Sequence, residues 1–223
     1  MNATARHAWM AHPLAGMLLR FNLEPAWLFH PSRQAEWQPE GAQALPAAGS
    51  LARHVSGALL RRLGLARVER LDDPALPLFM APAPLFERLT LCCGLVVLGP
   101  SLRRVIARAE VLALQAQLGE DGLRFARAAA RLWDAAGPVS MEPAANGVYE
   151  QALRSGAALL WLAAASAAEP VAQRALLRLP VDAQDAVIDL PHPLERPANA
   201  LALARSVLDE LEPAWLSSFP APR

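Results

Sequence analysis

The sequence predicts an all-α fold, a compact irregular bundle of about eight to ten helices joined by proline-rich connectors. Apolar residues recur at helical spacing along most of the chain, and capping residues, glycines and prolines separate these runs. No alternating strand pattern and no strand–helix–strand rhythm is present in the sequence. With 223 residues, of which 54% are hydrophobic, the chain can bury a sizeable core. We therefore expect a single domain over residues 1–223, with 1–80 as a candidate N-terminal subregion beside a main helical body at 81–223.

The first third of the chain combines short helices with proline-rich connections. Proline suits the first turn of a helix, and serine is a favoured N-cap residue. The predicted elements are a short helix from Pro13 to Phe21, a proline-started turn at Pro25, a loop over residues 32–49, a helix from Ser50 to Leu63 and a connector over 71–84.

The run from Leu85 to Gly99 is apolar on nearly every side, which predicts a buried helix that ends at Gly99-Pro100. Ser101 is then expected to cap a helix that Gly119 closes. The residues predicted to face inward on that helix are Leu102, Val105, Ile106, Ala109 and Leu112, and those predicted to face outward are Arg103, Arg104 and Arg108.

The last part of the chain is again helical. A helix is predicted from Asp121 to Gly137-Pro138, and an alanine-rich helix with Trp161 in the core follows an Asn146 cap. Because small residues let neighbours approach closely, we expect this alanine-rich helix to be central. The remaining predicted elements are a helix at Pro170–Leu179, a loop over 180–197 and a helix at Ala198–Leu211.

Neither the composition nor the motifs of the sequence indicate a catalytic or ligand-binding site. The 21 basic residues, all arginine, balance 21 acidic ones, which argues against a nucleic-acid partner. The five histidines show no metal-binding spacing, and neither a serine nucleophile elbow nor a dinucleotide-binding glycine motif occurs. We predict no catalytic, cofactor-binding or metal-binding residues, and we expect Cys92 and Cys93 to be reduced thiols in the core.

The longest apolar run, at residues 155–168, has 14 residues, whereas a membrane span needs about 20. The N-terminus has no apolar core of the signal-peptide type. These features predict a cytoplasmic protein without direct membrane insertion.

Arginines and tryptophans are the candidate partner-binding residues. Arg103, Arg104 and Arg108 form either the solvated face of a helix or a docking strip for an acidic partner. Trp27 and Trp37 lie near predicted loops, where an exposed aromatic ring can anchor a partner.

Three blocks resemble one family when they are taken in order. They are LRFNLEPAWLFHP (Leu19–Pro31), LTLCCGLVVLGPSLRRVI (Leu89–Ile106) and SGAALLWLAAASAAEPVAQRALLRLP (Ser155–Pro180). The chain resembles the SctK family of type III secretion accessory proteins, which includes YscK and PscK, and it looks closest to PscK.

The resemblance implies a non-enzymatic adaptor of the injectisome sorting platform, peripheral at the cytosolic face of the base. Its implied partners are the cytosolic domain of an SctD-type inner-membrane ring protein and an SctQ-type pod protein. The alternative from the residues alone is a small helical enzyme or ligand-binding regulator whose site is assembled only in three dimensions.

The hexamer LEPAWL occurs twice, at Leu23–Leu28 and at Leu211–Leu216. True repeat architectures recur at a fixed period and more than twice. We therefore interpret the two copies as independent proline-started turns.

Overall fold

The computed structural model describes residues 12–34, 50–133 and 147–221, and within these ranges the protein is all-α, as predicted. The α-helices are α1 (Ala15–Leu23), α2 (Pro31–Gln34), α3 (Ser50–Leu63), α4 (Leu76–Met80), α5 (Ala83–Leu102), α6 (Arg108–Ala128), α7 (Val148–Ala164), α8 (Glu169–Arg178), α9 (Pro197–Leu211) and α10 (Pro213–Ser217). Short 3-10 helices lie at Pro25–Leu28, Ala129–Arg131, Asp185–Asp189 and His192–Glu195. The predicted Asn146 cap and the Gly137-Pro138 stop lie outside the described residues.

Helix α7 is the centre of the bundle, as its small residues predict. It packs against α5 and α9 and also contacts α6 and α8. Gly94 of α5 and Gly156 of α7 lie where the two helices cross. The absence of a side chain at both positions lets the two backbones approach each other closely.

The proline-rich connector before α5 is part of the core. All five residues of α4, Leu76 to Met80, are buried. Asp73 holds the start of α4 in place. One of its carboxylate oxygens accepts a hydrogen bond from the Ala75 N–H and the other from the Ala168 N–H, each at 2.8 Å. The main core extends from Leu14 to Phe219 and includes α4.

The prediction that α5 ends at Gly99-Pro100 is wrong, because the helix continues to Leu102. Pro100 lies near the end of the helix, and the Arg103 N–H donates to the Gly99 carbonyl at 3.0 Å. Ser101 and Leu102 are buried, so packing holds this last turn in place. Ser101 is therefore a residue of α5 and does not cap the next helix.

The predicted inward face of the following segment is wrong in part, because Leu102 is buried and Val105 is half-buried but Ala109 is exposed. Helix α6 begins at Arg108, and Ile106 and Leu112, expected inside, are 87% and 54% exposed. Leu114 and Leu118 pack instead against Leu95 in a second apolar cluster. The sequence contains two apolar stripes in this segment, and the stripe with Leu114 and Leu118 is the one that packs against the core.

Gly119 separates two helical segments within α6, as the sequence predicted. Its φ of 73° lies in the left-handed region that favours glycine. The segment after the kink runs to Ala128 and corresponds to the helix predicted from Asp121.

Trp161 is half-buried and packs against the main core, whereas the sequence predicted a core residue. Trp133 occupies a similar half-buried position. The two indole rings pack at the edge of the core, whereas the smaller aromatic rings of Phe21 and Phe79 are fully buried in it.

Helix α5 is long and apolar enough to cross a membrane by length and composition, and 72% of the qualifying window is buried inside the protein. The continuation past Pro100 gives the helix this length. The buried share is what a core helix of a folded bundle shows.

Both cysteines are buried free thiols, and this predicts slow chemical labelling. Burial raises the pKa of Cys92 to about 11 and raises the pKa of Cys93 well above its ordinary value. Since only the thiolate reacts, we expect labelling by Ellman's reagent at pH 8 to be at least about a hundredfold slower in the native protein than in the unfolded one. Stopped-flow absorbance with and without denaturant measures both rates, and fast native labelling of both thiols would contradict the structure.

Candidate partner-binding surfaces

The three candidate arginines lie at the corner between α5 and α6. Arg103 and Arg104 follow the last residue of α5, and Arg108 is the first residue of α6. Arg104 and Arg108 are exposed, while Arg103 is half-buried. None of the three forms an ion pair with another described residue. The structure brings them together around a turn, where the sequence predicted a strip on one helix.

Trp27 is half-buried, and two arginines lie close to its ring. The guanidinium carbons of Arg20 and Arg178 lie 5.1 Å and 5.4 Å from the ring centroid. Trp27 thus presents only part of its surface, and its role as a partner anchor stays a prediction. Trp37 lies outside the described residues.

A surface groove of about 550 Å³ runs along α9. Its charged lining residues are Arg205 and Asp209, and the Arg205 guanidinium already donates to the Pro74 carbonyl. A second groove, about 330 Å³, lies beside Arg70 and Asp72, which are paired with each other. Neither groove gathers several polar groups that are free to act on a ligand.

Among the described residues, no cluster of three or more His, Cys, Asp or Glu side chains could hold a metal ion. The His30 side chain already has a hydrogen-bond partner, since its Nδ1 lies 2.8 Å from Ser32 Oγ. Burial, with a smaller effect of the nearby Arg33 charge, lowers the pKa of His30.

Comparison with known proteins places the chain in a family. The family model described as "YOP proteins translocation protein K (YscK)" matches residues 18–212, from within α1 to just past the end of α9. The chain belongs to the YscK family of type III secretion proteins. No curated protein and no solved structure matches it.

In this YscK-family chain, the two LEPAWL copies form related but different local structures, a 3-10 helix at Pro25–Leu28 and the α-helix α10 at Pro213–Ser217. Each follows the end of a helix, and in each the glutamate N–H donates to a helix carbonyl at 2.8 Å before proline starts the next turn. The surroundings differ, because Pro25 is buried and Pro213 is exposed. Different helix types in unlike settings fit two independent proline-started turns.

Two buried arginines of α8 were not singled out from the sequence. Arg178 donates to the carbonyls of Phe79 and Ala81 at 2.8 Å and 2.7 Å, and its guanidinium carbon lies 3.9 Å from the centroid of the Phe86 ring. Arg174 donates to the carbonyls of Phe21 and Pro170 at 3.0 Å. These arginines join the short N-terminal elements to α8.

The high proline content is the sequence feature that could indicate such buried arginines. Because proline lacks an N–H and interrupts helices, proline-rich connectors leave carbonyl groups without backbone donors. Arg33 donates to the carbonyls of Leu179 and Pro180, and Arg205 donates to that of Pro74. In this fold, Arg33, Arg174, Arg178 and Arg205 therefore supply donors to carbonyl groups in or beside the proline-containing segments.

Proposed function

We propose that this protein is a non-enzymatic cytosolic adaptor of the injectisome sorting platform. In this role it links the cytosolic domain of the SctD-type inner-membrane ring protein to the SctQ-type pod protein at the cytosolic face of the base. The observation that carries the proposal is the family match over residues 18–212. The candidate partner contacts are Arg103, Arg104 and Arg108, with Trp27 and Trp37 as further candidates.

The physical argument for surface-mediated function comes from the α5–α6 corner. Three guanidinium groups lie within six positions of the chain and have no carboxylate partner among the described residues. Arginine is enriched at protein interfaces, where its planar group can bind carboxylates in two-point contacts. An acidic surface on either platform partner would supply those carboxylates.

A pulldown from cells that contain the secretion apparatus tests the adaptor role. The tagged chain is expected to recover both the SctQ-type and the SctD-type protein. Recovery of neither protein under conditions that preserve the apparatus would refute the adaptor role.

The arginine corner gives a specific prediction. The double variant Arg104→Glu with Arg108→Glu is expected to weaken binding to one platform partner by about tenfold, mainly through slower association. Its melting temperature should stay close to that of the unchanged protein, because both side chains are exposed. Biolayer interferometry against the purified SctQ-type protein and SctD-type cytosolic domain gives both rate constants.

A double variant with the same change in net charge serves as the control. Arg53→Glu with Arg67→Glu reverses two exposed arginines elsewhere on the protein. Its association rates should match those of the unchanged protein. Equal losses in the two double variants would indicate an effect of net charge and remove the assignment to the corner.

A further inference from the structure

The chain between α5 and α6 exposes apolar side chains beside the arginine corner. Ile106 is 87% exposed, the largest value among the described large apolar residues, and Leu112 is 54% exposed. Isolated exposed apolar residues are common on protein surfaces, whereas contiguous ones mark interaction sites. The question is whether these two residues belong to a continuous face.

Helix α6 has an outward apolar face from its start to the Gly119 kink. Ala109, Leu112 and Ala116 are exposed and recur at i, i+3 and i+7, the spacing of one helix face. Leu114 and Leu118 occupy the inward face and are buried. A helix with two apolar faces usually packs against neighbours on both of them. In the described structure, the rest of the protein covers one of the two apolar faces of α6.

The charge on this face is positive and unbalanced. Arg104 and Arg108 are exposed without an ion pair among the described residues, and Glu110 is the acidic residue of the first turn of α6. Beyond the kink the pattern changes, because Arg124 pairs with Glu120 at 2.9 Å and with Asp121 at 3.2 Å. The unpaired positive charges therefore accompany the exposed apolar residues.

We infer that this face binds an amphipathic helix that carries an apolar stripe flanked by carboxylates, supplied by one of the platform partners. The inference rests on the proposed adaptor function and specifies the chemistry of the partner. The Ile106 surface is defined by Arg104, Ile106, Arg108, Ala109, Leu112 and Ala116.

A helix fits this surface better than an extended segment does. The straight part of α6 before Gly119 spans about 16 Å at 1.5 Å per residue, or three helical turns. Ala109 and Ala116 are small, so a second helix can lie close to α6 on either side of the larger Leu112 side chain. Carboxylates on the flanks of that helix would pair with Arg104 and Arg108.

The first test measures the affinity of both purified platform partners for a matched pair of variants. Ile106→Ser with Leu112→Ser removes the apolar part of the surface without changing charge. Ile188→Ser with Val181→Ser is the control, since these residues are 85% and 46% exposed at a distant place in the sequence.

The Ile106 double variant should lose at least about tenfold in affinity for one partner, with no change in melting temperature. The Ile188 double variant should bind as the unchanged protein does. If a partner binds the unchanged protein and the Ile106 double variant equally well, the surface assignment fails while the adaptor function stands.

The second test is independent of which platform protein binds. Two designed 18-residue helical peptides share one leucine stripe, which is flanked by glutamates in one peptide and by lysines in the other. In amide-shift mapping on the full chain, the glutamate peptide should perturb residues 104–116 and the lysine peptide should not. Equal shifts with both peptides, or shifts elsewhere, would overturn the inference even if the chain is captured by the apparatus.

A second copy of this chain is the competing occupant. Sedimentation velocity distinguishes it, because the inference expects a monomer over the concentrations used for the peptide mapping. A dimer that dissociates in the Ile106 double variant would assign the surface to self-association and overturn the inference.

Discussion

Replacement of Gly94 by alanine is expected to lower the free energy of unfolding by at least about 3 kcal/mol, at or above the upper end of the range for overpacked cores. A Cβ atom at position 94 would lie 1.7 Å from the Ala152 carbonyl oxygen and 2.5 Å from its carbon. These are backbone atoms of α7, so no rotamer change can relieve the contact. The central pair of helices would have to separate.

A Cβ atom at Gly156, on the α7 side of the same crossing, is expected to destabilise the protein for the same reason. A Cβ atom at Gly156 would lie 1.8 Å from the Thr90 carbonyl oxygen of α5. Separation of α5 from α7 would open space beside Leu95 and Leu159, which are fully buried. Because cavities in a core are costly, the protein cannot accommodate either methyl group by a small shift.

Gly16→Ala is the matched control for this prediction. Gly16 lies within α1, and an added Cβ would meet no atom within 4 Å. Alanine there should be neutral or stabilising by up to about 1 kcal/mol, because it restricts the unfolded chain. Urea denaturation followed by circular dichroism compares the variants, and equal midpoints for Gly94→Ala and Gly16→Ala would show that the close crossing does not exist.

The helices themselves could be predicted because their signals are local. Periodic apolar residues and a proline in the first helical turn predict the ends of α8 and α9 to within one residue of the observed ends. Pro100 predicts an earlier end of α5, because a proline interrupts the hydrogen bonding of a helix. Near the end of a helix the loss is one hydrogen bond, and the burial of Leu102 outweighs it. The end of α5 depends on tertiary packing, which the local sequence does not contain.

The candidate surface was predicted only in part for a related reason. The sequence placed Arg104 and Arg108 outside, and they are exposed. It placed Ile106 and Leu112 inside, because a helical apolar stripe carries no mark of which side the rest of the protein covers. In α6 the second stripe, with Leu114 and Leu118, meets the core.

Arg178→Met is expected to lower the free energy of unfolding by about 2–4 kcal/mol. Methionine fills much of the space of the arginine stem, but it leaves the carbonyl oxygens of Phe79 and Ala81 without their donor. Each buried acceptor that loses its partner costs about 1–3 kcal/mol. The stacking of the guanidinium on Phe86 is lost as well.

Relief of the buried charge offsets part of this loss. Burial lowers the pKa of Arg178 to about 9, so the guanidinium is still charged at pH 7 and its desolvation opposes folding. Methionine removes that cost, which is why the expected loss is smaller than the sum of the broken interactions. Arg178→Lys should also destabilise, because one ammonium group cannot reproduce the planar guanidinium that both donates to two carbonyls and stacks on a ring.

Arg53→Met is the control, since Arg53 is exposed on α3. Its expected change is within about 0.5 kcal/mol, as for most surface substitutions. Thermal and urea unfolding of the three variants, read by circular dichroism, give the comparison. If Arg178→Met and Arg53→Met unfold at the same urea concentration, the two carbonyl contacts contribute nothing net, and the join between α8 and the α4–α5 segment must come from apolar packing alone.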